Sequence, residues 1–214
     1  DPRHDRSGYA QRLEKVGVQA APEEVLTTGV ALAVLLRREG YAGANALVLG
    51  TPAFKAEVLA AGLVDAAAAD PRSVDLVVVG GSADLGSREL TAATRALRVG
   101  ARLFGSNRDP VFPTPSGPAP AAGPYLASVE VAGGVVAITA GKPELPIFEA
   151  ARQQLGSGPG AMVGDRLDSD VAGGQQAGLA GVLVLSGGTS EEDLAVSPVV
   201  PDLVCADLAE FAGI

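Results

Sequence analysis

The chain of 214 residues is long enough for one large domain or for two small ones that share a core. With 47% hydrophobic and 19% charged residues it has apolar surface to bury and is not compositionally disordered, while 28 glycines and 15 prolines make it rich in turns. A net charge of −9 disfavours a nucleic-acid partner, the single Cys205 excludes an internal disulfide framework and fits a reducing, cytoplasmic compartment, and the single His4 argues against a Ser-His-Asp triad or a multi-histidine zinc site.

In chain order, Tyr9, Leu13 and Val16 share one helical face, with Ser7 before them and Gly17 closing the helix. Pro22-Glu23-Glu24 opens a second helix that ends at Gly40, with proline and acids in its first turn. Ala46–Leu49 reads as a buried strand, and Thr51-Pro52 caps a helix through Phe54 and Val58 to Gly62. Leu76–Val79 is the clearest strand. Ser87 starts a helix that runs to Gly100, and 102–104 returns as a strand. Six prolines between Asp109 and Pro124 predict an ordered, irregular loop. A short helix over 125–129 and a strand over 135–138 follow. The last third reads as helix 143–155, strand 161–163, helix 169–177, strand 182–185, strand 203–204 and helix 208–211.

Strands and helices that alternate, with strands apolar on both faces, predict an α/β fold built on a parallel sheet. The proline-rich loop and the Gly133-Gly134 pair mark residues 42–138 as a separate module, leaving 1–41 and 139–214 to pack together as one core. No apolar run is long enough to span a bilayer and no signal peptide is evident, so neither a membrane nor a nucleic acid is an expected partner.

The densest chemistry lies in Val163-Gly164-Asp165-Arg166-Leu167-Asp168-Ser169-Asp170. Asp165 directly follows what reads as a buried strand, so its carboxylate emerges at the strand's carboxyl end, where open α/β sheets bind ligands. Three acids within six residues suit a hard cation such as Mg²⁺. The plainer alternative makes Asp168 or Ser169 a helix cap and Asp165 a turn residue. In Ala140-Gly141-Lys142-Pro143, Gly141 permits a tight turn and Pro143 suits the first helical position, which places Lys142 beside free N–H groups where a phosphate would sit; the alternative is a solvated loop lysine. Together the two sites describe a phosphoryl-transfer centre. Asn107, Asp109 and Phe112, between a strand and the stiff loop, are either a substrate-selecting wall or turn organisers. The glycines at 80, 81 and 86 have the wrong spacing for a dinucleotide loop, and Cys205 reads as a packing residue.

Gly141-Lys142-Pro143 and Gly164-Asp165-Arg166-Leu167-Asp168-Ser169-Asp170 resemble the third and fourth motifs of haloacid dehalogenase-like phosphatases, and more narrowly of subfamily IIA, the branch with para-nitrophenyl phosphatase, phosphoglycolate phosphatase and pyridoxal phosphate phosphatase. Asn107-Arg108-Asp109-Pro110 with Phe112-Pro113-Thr114-Pro115-Ser116-Gly117 resembles the cap segment of that branch. The resemblance implies a Rossmann-like core with an inserted α/β cap, and Mg²⁺-dependent hydrolysis of a small phosphorylated metabolite through an aspartyl-phosphate. Carried over, Lys142 neutralises and orients the phosphate, Asp165 binds Mg²⁺, Asp170 supports that metal site, and Asn107, Asp109 and Phe112 choose the leaving group. Pairing of two chains through their caps is a further implication.

Two elements of the pattern are missing from these residues. The family's first motif, two aspartates one residue apart after an apolar strand, supplies the nucleophile; the only Asp-x-Asp here is Asp168-Ser169-Asp170, already part of the fourth motif. The Thr-Asn of the second motif belongs just before Asp1. The sequence therefore reads as a family member divided between its second and third motifs, with the nucleophile upstream of Asp1, and the 214 residues alone are expected to be inactive. The alternative is a phosphate-ligand-binding or regulatory module that kept the fold and lost catalysis.

Overall fold

The apolar runs at 46–49, 76–79 and 102–104 lie side by side in one parallel sheet of the computed structural model, which describes residues 2–67, 70–81, 85–156 and 158–213. The chain divides into two units, 1–141 and 142–214. In the first, α1 (Arg6–Lys15) and α2 (Thr28–Arg38) precede β1 (Asn45–Gly50), α3 (Pro52–Leu59), β2 (Val64–Asp65), β3 (Leu76–Gly81), α4 (Ser87–Arg98) and β4 (Arg102–Gly105). A small antiparallel ribbon of β5 (Val111–Phe112) and β6 (Ala119–Pro120), then α5 (Ala122–Gly133) and β7 (Ile138–Thr139), complete it. The sheet order is β2-β1-β3-β4-β7, every pair parallel, with Ala46 opposite Leu76 and Leu76 opposite Arg102.

The two faces of this sheet follow from the period of two along each strand. Leu47, Leu49, Val77, Val79 and Leu103 share one core with Ala93, Ala96 and Leu97 of α4 and with Leu126 and Val129 of α5. On the alternate positions, Val48, Val78 and Phe104 are equally buried. Phe54 of α3 is 1% exposed, which contributes about 2–3 kcal/mol of burial. Its ring lies so close to Gly50 that a Cβ there would be 2.6 Å from Cδ1, and a Cβ on Gly80 would also strike it. Gly80 thus serves ring packing, in keeping with its rejection as a nucleotide loop.

Residues 1–41, expected to pack with the C-terminal residues, lie in the same unit as the sheet. Thr51 Oγ1 donates to the carbonyl of Pro2 at 2.8 Å, and Glu57 of α3 accepts from the Arg6 N–H at 3.1 Å and from Thr27 Oγ1 at 2.5 Å.

Several boundaries differ from the sequence reading. Pro22–Glu24 is an isolated 3₁₀ turn, and α2 starts only after Thr27, whose hydroxyl accepts from the Val30 N–H. The strand expected over 135–138 shrinks to 138–139: Gly134 ends α5 in a left-handed conformation, Val136 is 82% exposed, and the Ala137 N–H is taken by Glu130 Oε1. The helix expected over 125–129 runs over 122–133, because Pro124 falls in its first turn, where no N–H is needed. Inside the proline-rich segment the chain pairs with itself, and Thr114 and Gly117 exchange backbone hydrogen bonds across the ribbon's turn.

In the second unit, α6 (Leu145–Leu155), β8 (Ala161–Gly164), α7 (Ala172–Gln176), β9 (Ala180–Val184), α8 (Glu191–Val196), β10 (Leu203–Cys205) and α9 (Leu208–Ala212) build a parallel sheet of order β10-β9-β8. Val182, Leu183 and Val184 of the central strand are buried, whereas β8, at an edge, is only partly covered. Asp165 therefore follows a half-exposed strand, not the buried one expected. Cys205 is buried in β10 beside Val182 and Val184, the packing role its surroundings suggested. Among the described residues no helix is long and apolar enough to cross a membrane.

Candidate active site

Lys142 occupies a turn rather than a helix start. Its peptide bond to Pro143 is cis, α6 begins only at Leu145, and Pro146 takes the early helical position expected of Pro143. What holds the lysine is a charge: Nζ lies 2.5 Å from Asp170 Oδ1, with the aspartate side chain 3% exposed and the lysine side chain 41%. The position of Lys142 is thus fixed by a buried carboxylate, not by a helix dipole.

Asp170 organises more than the lysine. Its Oδ2 accepts from the N–H of Asp165 at 3.2 Å and of Arg166 at 3.1 Å. The loop after β8 is consequently drawn onto the following turn, which starts as a π-helical turn over Leu167–Val171 with the Val171 N–H reaching back to the Arg166 carbonyl. The helix expected over 169–177 is accordingly a π turn followed by the short α7. Gly164 makes this possible, since a Cβ there would run into the Asp170 carboxylate.

Asp165 points elsewhere. Its Oδ2 accepts from the Gly188 N–H at 2.6 Å, and its carbonyl accepts from Thr189 Oγ1 at 2.6 Å. Gly187 packs directly on the same side chain, leaving no room for a Cβ. Gly187-Gly188-Thr189 is the part of the site that sequence reasoning missed; the available signal was a Gly-Gly-Thr placed just beyond the apolar strand over 182–185. Asp165 makes no ion pair among the described residues, and its carboxylate is held in place by the backbone N–H of Gly188.

Asp168 turns outward, 73% exposed, and pairs with Arg166 at 3.1 Å. Burial pushes its carboxyl up, but the hydrogen bond and charge of Arg166 outweigh this and hold it below the usual carboxylate range. The three-acid pocket suggested by spacing is thus not formed. Among the described residues no group of three His, Cys, Asp or Glu side chains converges as a metal site. The reason is local: Asp170 is spent on Lys142 and two backbone N–H groups, and Asp168 on Arg166.

In the first unit, Asn107 is 7% exposed and its Oδ1 accepts from the Asp109 N–H at 3.2 Å, which is the turn-organising role. The Asp109 carbonyl accepts from the Gly123 N–H at 2.9 Å, tying the loop to the first turn of α5. Phe112 is half-buried, and the guanidinium carbon of Arg3 lies 3.9 Å from its ring centre. Gly141 donates to the Ser106 carbonyl at 2.6 Å, and a Cβ on it would sit 2.9 Å from Asn107 Cβ. An open cleft of about 580 Å³ is lined by α1 and the 19–24 segment, including Gln11, Glu14 and Glu24, and holds none of the expected site residues.

Comparison with known proteins bears on these residues directly. A HAD-hydrolase-like family model matches residues 139–211, which contain Lys142, Asp165 and Asp170, and a haloacid dehalogenase-like hydrolase model matches residues 1–64. The D-glycerol 3-phosphate phosphatase of Mycobacterium tuberculosis is 36% identical over 184 residues, covering 86% of this chain and 52% of its own; the chain thus spans about half the length of that relative. An acid sugar phosphatase of Staphylococcus saprophyticus is 32% identical over 203 residues, covering 94% of this chain and 77% of its own. The crystal structure of a glycerol phosphate phosphatase from Mycobacterium tuberculosis in complex with magnesium superimposes with a TM-score of 0.89 at 33% identity, over 97% of this chain and 64% of that one. Family models that match both ends of the chain, and relatives similar along nearly the whole of it, show that the chain belongs to the haloacid dehalogenase-like hydrolases, subfamily IIA.

Proposed function

We propose that the protein hydrolyses a small phosphate monoester with the help of Mg²⁺, through an aspartyl-phosphate whose nucleophile lies upstream of Asp1. The observation that carries this reading is the pairing of Lys142 with the buried Asp170, set beside Asp165 at the carboxyl end of β8. In the proposal, Lys142 neutralises the phosphate oxygens and fixes their orientation, Asp165 is the protein's ligand to the metal, and Asp170 holds both in register. Asn107, Asp109 and Phe112 belong to the cap, residues 42–138, that selects the leaving group.

The donor chemistry fits the metal. Asp165 offers a hard carboxylate oxygen, oriented by Gly188 and Thr189 and paired with no cation among the described residues. When bound, Mg²⁺ would spread the negative charge of the phosphoryl group. The names of the similar proteins, phosphatases of glycerol phosphate and acid sugars, support an oxygen-rich metabolite as substrate. A cytoplasmic location and pairing through the caps complete the proposal.

Hydrolysis of para-nitrophenyl phosphate with and without Mg²⁺, by this chain and by the protein with its natural N-terminus, tests it. Metal-dependent activity confined to the longer form is the expected result. Binding of phosphate esters without turnover in either form would replace it with the reading of a ligand-binding module.

A further inference from the structure

Arg108 runs along α5. Its carbonyl lies so close to Gly123, in the first turn of that helix, that a Cβ there would be 2.5 Å from the oxygen. Its guanidinium meets Glu130, about two helical turns further on. The pair is bidentate: Nη2 donates to Oε1 at 2.7 Å and Nη1 to Oε2 at 3.1 Å. Nη2 also donates to the Ala137 carbonyl at 3.2 Å, and the Ala137 N–H donates back to Glu130 Oε1 at 2.8 Å. The Glu130 side chain is 15% exposed, yet the hydrogen bond from Arg108 outweighs burial and holds its carboxyl below the usual range.

Arg108 stands between Asn107 and Asp109. The bond from the Asp109 N–H to Asn107 Oδ1 shapes this turn but does not place it. Placement comes from α5: the Gly123 N–H holds the Asp109 carbonyl, and Glu130 holds the side chain of the residue between the two. All of these residues lie in the first unit.

We propose that Glu130 is a positioning residue for leaving-group selection, acting through Arg108 to fix where Asn107 and Asp109 stand. This rests on the phosphatase reading above, in which those two residues select the leaving group, and adds the residue that sets them. A contact to a small ligand works only from a settled backbone, since a displacement of about 1 Å is enough to lose most of its effect. Glutamate suits the task because its planar carboxylate matches the fork of the guanidinium. Glutamine would keep Oε1 for Ala137 and Nη2 but turn an amide N–H against Nη1, donor against donor. Glu130→Gln therefore loosens the hold on Arg108 while sparing the bond to Ala137.

The test uses the protein with its natural N-terminus in the presence of Mg²⁺, with glycerol 3-phosphate and methyl phosphate as substrates and inorganic phosphate as a competitive inhibitor. In Glu130→Gln the KM for glycerol 3-phosphate is expected to rise about tenfold with kcat within about twofold, because a leaving-group contact acts on ground and transition states alike. The KM for methyl phosphate and the inhibition constant of phosphate should move by less than about twofold, since neither offers a wall much to contact. In an Arg108→Met background the same replacement should change nothing further, as expected of two residues that act as one unit. Arg108→Lys, which keeps the charge without the fork, should fall between wild type and Arg108→Met, and serves if Glu130→Gln melts early. A lower kcat toward both esters at unchanged KM is what a looser fold would give, and it would overturn the proposal. So would an equal rise in all three constants, no change in any, or additive effects in the double variant.

Amide hydrogen exchange separates this role from the reading it rests on. Asp109 and Gly123 should exchange about tenfold faster in Glu130→Gln while Val77 of β3 is unchanged, the mark of a local opening. A wild type that hydrolyses no ester refutes the phosphatase reading, and exchange alone then decides whether Glu130 fixes the loop: equal rates in the two proteins overturn it.

Discussion

The Nζ of Lys142 and the Oδ1 of Asp170 are 2.5 Å apart, and the carboxylate of that pair is almost completely withdrawn from solvent while the ammonium is not. A buried charge of this kind is tolerated only when its partners are complete, and Asp170 has three: the lysine and the N–H groups of Asp165 and Arg166. The lysine is thereby held from the inside and reaches outward with its remaining donors.

Removing the carboxylate strands all of these partners at once. Asp170→Ala is expected to cost about 2–4 kcal/mol of stability, read as a lowered urea midpoint. Asp170→Asn, which keeps an acceptor, should lose less. A midpoint within error of wild type for the alanine variant would show that the pair does not organise the loop.

Asp165 tests the metal assignment. Asp165→Asn keeps an oxygen for the Gly188 N–H but loses the negative charge, so the fold should survive. In the protein with its natural N-terminus, the Mg²⁺ concentration needed for half-maximal hydrolysis is expected to rise about 100-fold. An Mg²⁺ titration indistinguishable from wild type would remove Asp165 from the metal site.

Gly164 is a packing prediction. A methyl group there meets the Asp170 side chain, which cannot retreat without breaking its own hydrogen bonds. Gly164→Ala should destabilise by about 1–3 kcal/mol, measured by thermal unfolding, and should weaken phosphate binding at the same time because Lys142 shares the displaced carboxylate.

Glu57 gives a pH signature in the other unit. Burial pushes its carboxyl above the ordinary 4.5, the nearby Asp5 adds to this, and the hydrogen bonds from Thr27 and Arg6 only partly oppose it. With the folded pKa above the unfolded one, the contribution of this group to stability is full below about 4.5 and is lost as pH rises through the raised value. Urea unfolding across that window should show this loss in wild type and not in Glu57→Gln. An identical slope in both proteins would assign the pH dependence to other groups.

Much of this was legible because the strands are buried on both faces. Leu76–Val79 has no polar residue to mislead, and its exposure is 0% throughout. Where an element is short or at an edge, local pattern misled. Val135 and Val136 look like strand, but Gly134 turns the chain and Glu130 takes the Ala137 N–H, so the pairing starts only at Ile138. Spacing placed Asp165, Asp168 and Asp170 together, and they do share one loop. It gave no sign that Asp168 would turn to Arg166 while Asp170 turned inward, since that choice depends on Lys142, a residue on a different segment. The stacking of Arg3 on Phe112 was invisible for the same reason: a long-range contact leaves no mark on either local pattern.

The ribbon of β5 and β6 has a consequence for recognition. Its turn is closed by hydrogen bonds between Thr114 and Gly117 and its strands are bounded by prolines whose backbone angle is already set. Such a segment has little conformational freedom left to lose when a small molecule arrives. In the role proposed for this ribbon at the leaving group, selection is a matter of fit against a surface fixed in advance, and differences between ligands should show mainly in how long each one stays.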